Sequence, residues 1–163
     1  MFILEILLNL KSKQGDVLCA FLHGELEPGE NVYVEMPLGF FQYAKDGTRK
    51  VLKLNKTLYG LRQSPRAFWK YITKKLETCG LAQSKFDPCL FVGSKVICIV
   101  YVDDIIFWSK DTADIDSSAM QLRELGVNLE QKDDAAGFLG VTLERDPETN
   151  LLEIEADWTD KTS

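Results

Sequence analysis

An almost unbroken apolar stretch from Val96 to Trp108 is interrupted by two adjacent carboxylates, Asp103 and Asp104. Charge in such a segment is costly, because apolar neighbours strip a carboxylate of its hydration. The stretch is long enough for two strands, with the acidic pair at the turn between them. Such turns favour Asn-Gly or Asp-Gly, since their residues often need positive φ, so Asp-Asp is a poor structural choice. Two hypotheses remain: a solvated turn, or a carboxylate site held on rigid strands.

A third acidic residue, Asp16, directly precedes the apolar segment 17–22. Taken alone, Asp16 is typical of the edge of a strand. If it lay beside Asp103 on a neighbouring strand, the acidic residues would supply hard oxygen ligands of the kind that Mg²⁺ prefers. Two such ions can activate an attacking oxygen and stabilise a leaving oxygen in phosphoryl transfer. The sequence contains no nearby histidine, serine triad or glycine-rich phosphate loop that would indicate another reaction class.

Hydrophobic periodicity and turn residues predict the secondary structure. An opening helix is expected to bury an apolar face made of Phe2, Ile3, Ile6, Leu7 and Leu10. Strands are predicted, in chain order, at 15–22 with a turn at His23-Gly24, at 31–36, 51–54, 89–92 and 96–109, and as a hairpin at 138–143 and 151–155. Strands and helices do not alternate regularly, which indicates an α+β fold with an antiparallel sheet.

Two helices are predicted in the middle of the chain. The first has Ser64 as its candidate N-cap and Pro65 at its first position, and Gly80 can end it. Its apolar residues recur at helical spacing; they are Phe68, Ile72, Leu76 and Cys79. The second helix is marked by Ile115, Ala119 and Leu122 and is closed by Gly126.

Five segments in order resemble the reverse transcriptase of copia-type (Pseudoviridae) LTR retrotransposons. Residues 101–104, Tyr-Val-Asp-Asp, match the Y-x-D-D signature of reverse transcriptases, and residues 14–24 resemble the first catalytic block. The remaining matching segments are 32–40, 58–69 and 138–141. Y-x-D-D alone would be a weak indication, whereas five ordered segments over residues 14 to about 145 are a strong one.

The resemblance implies a palm-region fragment of such an enzyme. Its fold would be a palm-like antiparallel sheet packed against helices, with incomplete fingers and no thumb. We expect residues 1–163 to form one reverse transcriptase domain, because the sequence shows no repeat, low-complexity tract or flexible linker. The fingers segment before it, and the thumb and ribonuclease H domain after it, would be missing.

The resemblance also implies the metal site. Asp16, Asp103 and Asp104 would be the catalytic residues and would hold two Mg²⁺ ions, for which Mn²⁺ can substitute. Asp16 and Asp103 would bind both ions, with the backbone carbonyl of Val17 as a further ligand. Asp104 would complete the site by supporting its charge and geometry.

Three residues would bind the incoming deoxynucleotide in an enzyme of this kind. Phe21 stands where reverse transcriptases carry the bulky residue that excludes a ribose 2′-hydroxyl, although core packing explains it equally well. Tyr59 would offer a stacking or hydrogen-bonding surface, and Gly60 would permit close backbone approach. A hairpin or helix-entry glycine is the alternative for Gly60.

Arg66, Lys70 and Lys74 follow at four-residue intervals on the first predicted helix, as a cationic stripe able to track template phosphates. A solvated helix face is the alternative. Tyr101 of the Y-x-D-D segment is also expected at the nucleic acid. The net charge is −6, but residues 45–85 hold eleven basic residues against two acidic ones, and residues 111–163 hold fourteen acidic against four basic. One basic face is therefore compatible with a nucleic-acid partner.

The expected partners are an RNA or DNA template with its primer, a dNTP and the missing polyprotein domains, namely fingers, thumb, ribonuclease H and integrase. The apolar run 2–10 is shorter than the roughly 20 residues of a membrane span, so no membrane partner is expected. The four cysteines are widely spaced and indicate neither a zinc site nor disulfides, which fits an intracellular protein. The resemblance implies the cytoplasm, a virus-like particle or the nucleus. The alternative function is a catalytically inactive remnant that binds nucleic acid or protein, or a purely structural domain.

Overall fold

The computed structural model describes residues 2–132, 141–145 and 152–156. The chain divides into two compact units: residues 1–18 together with 72–163 form the first, and residues 19–71 form the second. Strands and helices are mixed, and the main sheet is antiparallel, in agreement with the predicted α+β class. Within the described residues, no helix combines the length and apolarity that a membrane span requires.

The first unit is built on a six-stranded sheet. Its strands, in spatial order, are β4 (Ala82–Gln83), β5 (Leu90–Val92), β6 (Ile97–Tyr101), β7 (Asp104–Ser109), β1 (Lys11–Val17) and β8 (Leu129–Lys132). Every neighbouring pair is antiparallel. β1 comes first in the chain but lies inside the sheet, so it forms hydrogen-bonded ladders with both β7 and β8.

The core of the first unit surrounds β7. Residues 105–109 are all buried, which explains why residues 105–108 are continuously apolar instead of alternating. Helix α3 (Thr112–Glu124) contacts β1, β7 and β8, and its buried residues are Ile115, Ala119 and Leu122, as predicted. Asp111 caps α3 by accepting the Ala113 N–H at 3.0 Å.

Helix α2 (Ser64–Thr78) crosses the boundary between the two units, and Phe68, Ile72 and Leu76 are buried along it, which confirms its predicted apolar face. The predicted N-cap is wrong. Ser64 lies within the helix, and its hydroxyl donates to the Leu58 carbonyl at 2.6 Å. Gly80, at φ 80°, follows the end of the helix, where the left-handed region favours glycine.

The second unit contains a short 3₁₀ helix (Ala20–Leu22) and an antiparallel pair, β2 (Tyr33–Glu35) with β3 (Val51–Lys53), which confirms the two short strands predicted there. Gly24 is needed for space. A Cβ at this position would lie 2.6 Å from Thr57 Oγ1 and 2.8 Å from Ala67 Cβ.

The predicted strand over 15–22 is wrong at both ends. β1 begins at Lys11 and ends at Val17. Cys19 then adopts the left-handed conformation, with φ 55°, and starts the 3₁₀ helix. Phe21 therefore lies on a helical turn, because the left-handed residue breaks the strand before it.

The predicted hairpin near the end of the chain is confirmed for its strands, β9 (Val141–Arg145) and β10 (Leu152–Ala156), which pair antiparallel. Residues 138–140 and 151 of the predicted strands, and the turn at 146–150, lie outside the described residues.

The apolar face predicted for the opening helix is wrong at Ile6 and Leu7 and confirmed at Leu10, which is buried. The side chains of Phe2 and Ile3 lie outside the described residues. In α1 (Phe2–Leu7), Ile6 and Leu7 are 39% and 71% exposed, whereas Glu5 is only 4% exposed. Glu5 accepts hydrogen bonds from Ser12 Oγ at 3.0 Å and from Trp108 Nε1 at 2.9 Å. A buried indole N–H needs an acceptor, so the carboxylate turns inward and ties α1 to the sheet.

Replacing Glu5 tests this anchor. We expect Glu5→Ala to lower the free energy of unfolding by about 1–3 kcal/mol, because Trp108 Nε1 loses a buried acceptor. Glu5→Gln keeps an acceptor of the same length and should cost less than half as much. Urea denaturation monitored by tryptophan fluorescence measures both values. Equal stability of Glu5→Ala and the unmodified chain would show that the anchor contributes nothing.

Candidate metal centre

The turn between β6 and β7 consists of Val102 and Asp103, closed by the pair Tyr101–Asp104. The expected turn at Asp103 and Asp104 is therefore wrong by one residue. Asp103 lies in the turn, whereas Asp104 is already the first residue of β7. Val102 has φ 55°, a region that a β-branched residue rarely adopts. Such strain costs about 1–3 kcal/mol and is often found at functional sites.

The pairing of β1 with β7 brings the acidic residues together. The Val17 N–H donates to the Asp103 carbonyl at 2.8 Å, and Asp16 is paired with Asp104 in the ladder. Because Val17 and Asp103 share the hydrogen bond, Asp16 and Asp104 form a non-hydrogen-bonded pair, in which Cα atoms lie about 4.5 Å apart and side chains approach most closely. The three acids therefore occupy one end of two adjacent strands.

The electrostatics at this end of the sheet are unfavourable in the absence of a cation. All three aspartates are half-buried. Burial raises the pKa of Asp16, the negative charges of Asp103 and Asp104 raise it further, and Lys132 on β8 opposes the shift. Like charges directly opposite each other destabilise an antiparallel pair. The positions of these acids therefore cannot be explained by stability.

Gln14 is a site residue that the sequence reading missed. Its Nε2 donates to Oδ1 of Asp104 at 2.9 Å, and its side chain is buried. Its spacing from Asp16 could have indicated its place in the site, since a residue two positions before Asp16 faces the same side of the strand. It was overlooked because the strand was predicted to begin at Gly15.

The donor chemistry of the three aspartates fits a divalent cation, although no closed cage is preformed. Within residues 2–132 and the two later described strands, no three His, Cys, Asp or Glu side chains are close enough together to enclose a metal ion. Mg²⁺ does not require such a cage, because it keeps several waters and uses one or two carboxylates together with substrate phosphates. A cation would also relieve the repulsion that raises the pKa of Asp16. The Val17 carbonyl stays a predicted ligand.

The nucleotide residues predicted in the second unit form an aromatic group. The ring of Phe21 lies 4.9 Å from that of Tyr59 and 6.4 Å from that of Phe68, measured between centroids. Phe68 is buried, Phe21 is half-buried and Tyr59 is exposed, so the group extends from the core to the surface. Gly60 has φ 90° in the turn before α2, so a backbone conformation that favours glycine accounts for it. Its nucleotide role stays a prediction.

The cationic stripe of α2 is partly neutralised. Arg66, Lys70 and Lys74 are all exposed, but Lys70 forms an ion pair and hydrogen bond with Glu27. That hydrogen bond and the charge of Lys70, with a smaller contribution from Arg66, lower the pKa of Glu27. Tyr101, on β6, is 51% exposed and stays open to a ligand.

Comparison with known proteins identifies related sequences. Residues 5–160 match a family model described as reverse transcriptase (RNA-dependent DNA polymerase). The chain is 38% identical over 109 residues to the retrovirus-related Pol polyprotein from transposon TNT 1-94 of Nicotiana tabacum, an alignment that covers 64% of the chain and 8% of that protein. It is 36% identical over 139 residues to the retrovirus-related Pol polyprotein from transposon RE1 of Arabidopsis thaliana, covering 83% and 9%.

A yeast protein shows the same relationship. The transposon Ty1-GR3 Gag-Pol polyprotein of Saccharomyces cerevisiae is 31% identical over 133 residues, covering 77% of the chain and 7% of that protein. The chain therefore spans less than a tenth of the length of these three relatives.

The charge repulsion predicts the effect of removing Asp16. In metal-free buffer at pH 7, Asp16→Asn should raise the free energy of unfolding by about 0.2–1 kcal/mol, the usual range for a cross-strand charge pair. A raised pKa in the folded state means that stability is lost as pH rises through that pKa. The gain should therefore disappear below pH 3.8, where the Asp16 carboxyl is protonated in both states.

Urea denaturation at several pH values measures this gain. Glu124→Gln removes one exposed charge from α3 and is the matched control, with no comparable gain expected. An Asp16→Asn variant that is less stable than the unmodified chain at pH 7 would contradict the repulsion.

Proposed function

The chain belongs to the reverse transcriptase (RNA-dependent DNA polymerase) family, in its copia-type retrotransposon branch, and we propose that Asp16, Asp103 and Asp104 are its catalytic residues. The proposed reaction adds a deoxynucleotide to a primer paired with an RNA or DNA template. The observation that carries the proposal is the β1–β7 register, which pairs Asp16 with Asp104 and bonds the Asp103 backbone to β1.

In this proposal the six-stranded sheet is the palm, and the end of β1 and β7 is its catalytic edge. The buried residues of β7 and the ladders on both sides of β1 hold the acids on rigid backbone. Rigid placement matters, because much of the rate of phosphoryl transfer comes from positioning and electrostatic stabilisation.

The three acids would hold the cations together. Asp16 and Asp103 would supply carboxylate oxygens to two Mg²⁺ ions, or to Mn²⁺ in their place, with the Val17 carbonyl as an additional ligand. When bound, such cations would supply activation of the attacking oxygen and charge stabilisation of the leaving oxygen. Asp104 would complete the metal site with a further carboxylate oxygen, and would support its charge and geometry. The primer 3′-hydroxyl oxygen becomes bonded to the α-phosphorus of the dNTP, pyrophosphate leaves, and the hydroxyl proton is released to solvent.

The aromatic group of the second unit supports a role in nucleotide selection. Phe21 packs against Tyr59 and Phe68, which restricts the movement of its half-buried ring. A ring held in this way can fill the space that a ribose 2′-hydroxyl needs, while the exposed Tyr59 offers a stacking surface. Gly60 would allow the nucleotide to approach the backbone, since no described atom, its chain neighbours aside, lies within 4 Å of the position that a Cβ would take there.

Template and primer would be bound through Arg66, Lys74 and Tyr101, with Lys70 available when its pair with Glu27 opens. The remaining contacts would come from further polyprotein domains, such as fingers, thumb, ribonuclease H and integrase. The relatives are named as Pol or Gag-Pol polyproteins, and this supports such partners.

A second candidate is a catalytically inactive remnant that binds nucleic acid or protein. One observation favours it: in the described part of the chain, the acids are not gathered into a closed metal-binding group. The two candidates differ in whether divalent cations produce turnover.

Primer extension separates these candidates. The purified full chain with Mg²⁺ or Mn²⁺ should extend a labelled primer, and Asp103→Asn should reduce the rate at least about 100-fold, because an essential oxygen ligand is lost. Glu124→Gln removes an equal charge elsewhere and should retain full activity. No extension by the unmodified chain, together with binding of primer-template, would support the inactive remnant.

The Glu27–Lys70 pair predicts the salt dependence of nucleic-acid binding. Glu27→Gln should release Lys70, strengthen primer-template binding and steepen the slope of log K against log salt by about 0.7–0.9, the value for one additional phosphate contact. Lys74→Ala should make the slope shallower by a similar amount. Fluorescence anisotropy from about 50 to 200 mM salt measures both slopes.

Glu77→Gln is the matched control for this experiment. It removes an exposed carboxylate from the helix that carries Lys70, whose ion pair is with Glu27, so it should change affinity less than Glu27→Gln. Equal effects of the two variants would show that net charge, and not the release of Lys70, governs binding.

A further inference from the structure

We propose that Gln14 is a positioning residue that orients Asp104 for cation binding, an inference that rests on the proposed function. The Gln14 side chain is only 5% exposed, and its Nε2 donates to Asp104 Oδ1 at 2.9 Å. Gln14 and Asp16 are two residues apart on β1, so both side chains leave the same face of the sheet. Asp104 is paired with Asp16 and shares that face.

Only one orientation of the Gln14 side-chain amide is stable. Reversing it would place Gln14 Oε1 against a carboxylate oxygen of Asp104, and two acceptors repel each other. The donor therefore stays on Asp104, where it engages one carboxylate oxygen and leaves the second for a cation. Among the described residues, the buried Gln14 Oε1 then has no hydrogen-bond partner.

Stability alone does not explain a glutamine at this position. A buried oxygen without a partner costs about 1–3 kcal/mol, whereas a methionine of similar length would carry no such oxygen. Asp104 is half-buried, so water can reach its carboxylate if the Gln14 bond is lost. A residue that is suboptimal for stability, next to a group of acids, indicates a functional role.

In this proposal, the hydrogen bond from Gln14 holds the Asp104 carboxylate in place despite the repulsion from the negative charge of Asp16. Without the Gln14 N–H, repulsion from Asp16 favours rotamers that turn the Asp104 carboxylate away, and a cation would have to reverse that movement. Hydrogen bonds from outer residues to metal-binding carboxylates act in this way, and their loss weakens metal affinity by about 10–100-fold.

Metal binding by the full chain tests this inference. Gln14→Met should raise the dissociation constant for Mn²⁺, measured by the EPR signal of free Mn²⁺, by about 10–100-fold. Its urea midpoint should be unchanged or higher, an effect that loss of a purely structural residue would not produce. Circular dichroism establishes that each variant is folded, and Gln14→Leu replaces Gln14→Met if the latter does not fold.

Thr73→Val is the matched control. Thr73 Oγ1, on helix α2, is a second buried oxygen that has no hydrogen-bond partner within the described segments. It should leave Mn²⁺ affinity unchanged. An affinity of Gln14→Met within about threefold of the unmodified chain overturns the role of Gln14, as does an equal loss in Thr73→Val. If the Asp16→Asn variant binds Mn²⁺ as tightly as the unmodified chain does, the proposed metal centre itself fails, and the role of Gln14 with it.

Discussion

The antiparallel register between β1 and β7 is the constraint on which the candidate site depends. A slip of one residue would move Asp16 to the opposite face of the sheet, because side chains alternate along a strand. The register is held by burial on both faces of β7, where Ile105, Phe107 and Trp108 are almost fully inaccessible. The apolar core therefore determines where the carboxylates lie, although none of its side chains has a chemical role.

Three unfavourable features are concentrated at one end of this sheet. Asp16 faces Asp104 across the ladder, and Val102 adopts a left-handed conformation. Gln14 buries an oxygen that has no hydrogen-bond partner in the part of the chain that the structure describes. Each destabilises the fold by an amount of order 1 kcal/mol. Such features persist only where the surrounding structure compensates for them, and the buried β7 strand beside them does so. Their concentration in one place distinguishes a functional edge from an ordinary hairpin.

Local sequence patterns predicted the elements whose own residues carry an apolar or turn signal. Helices α2 and α3, the β6–β7 hairpin and the short β2–β3 pair all follow from apolar spacing and turn residues. Strand β8 was missed because Leu129–Lys132 is mainly polar and is a strand only through its ladder with β1. The inward turn of Glu5 was missed for a similar reason, since its partner Trp108 is 103 residues away. In both cases, hydrogen bonds between residues distant in the sequence determine the structure, and local hydrophobicity does not predict them.

The basic segment, residues 45–85, shows that local sequence is also a limited guide to electrostatic potential. Counting residues 45–85 gives a strong basic excess, but Glu27, which neutralises Lys70, lies outside that window. An acidic residue earlier in the chain thus reduces the positive potential that the count implies. Affinity for a phosphate backbone depends on cations that are free to displace counterions, so pairing in three dimensions matters more than composition. The ion pair with Glu27 therefore lowers the positive potential that the Lys70 side chain of helix α2 presents to solvent.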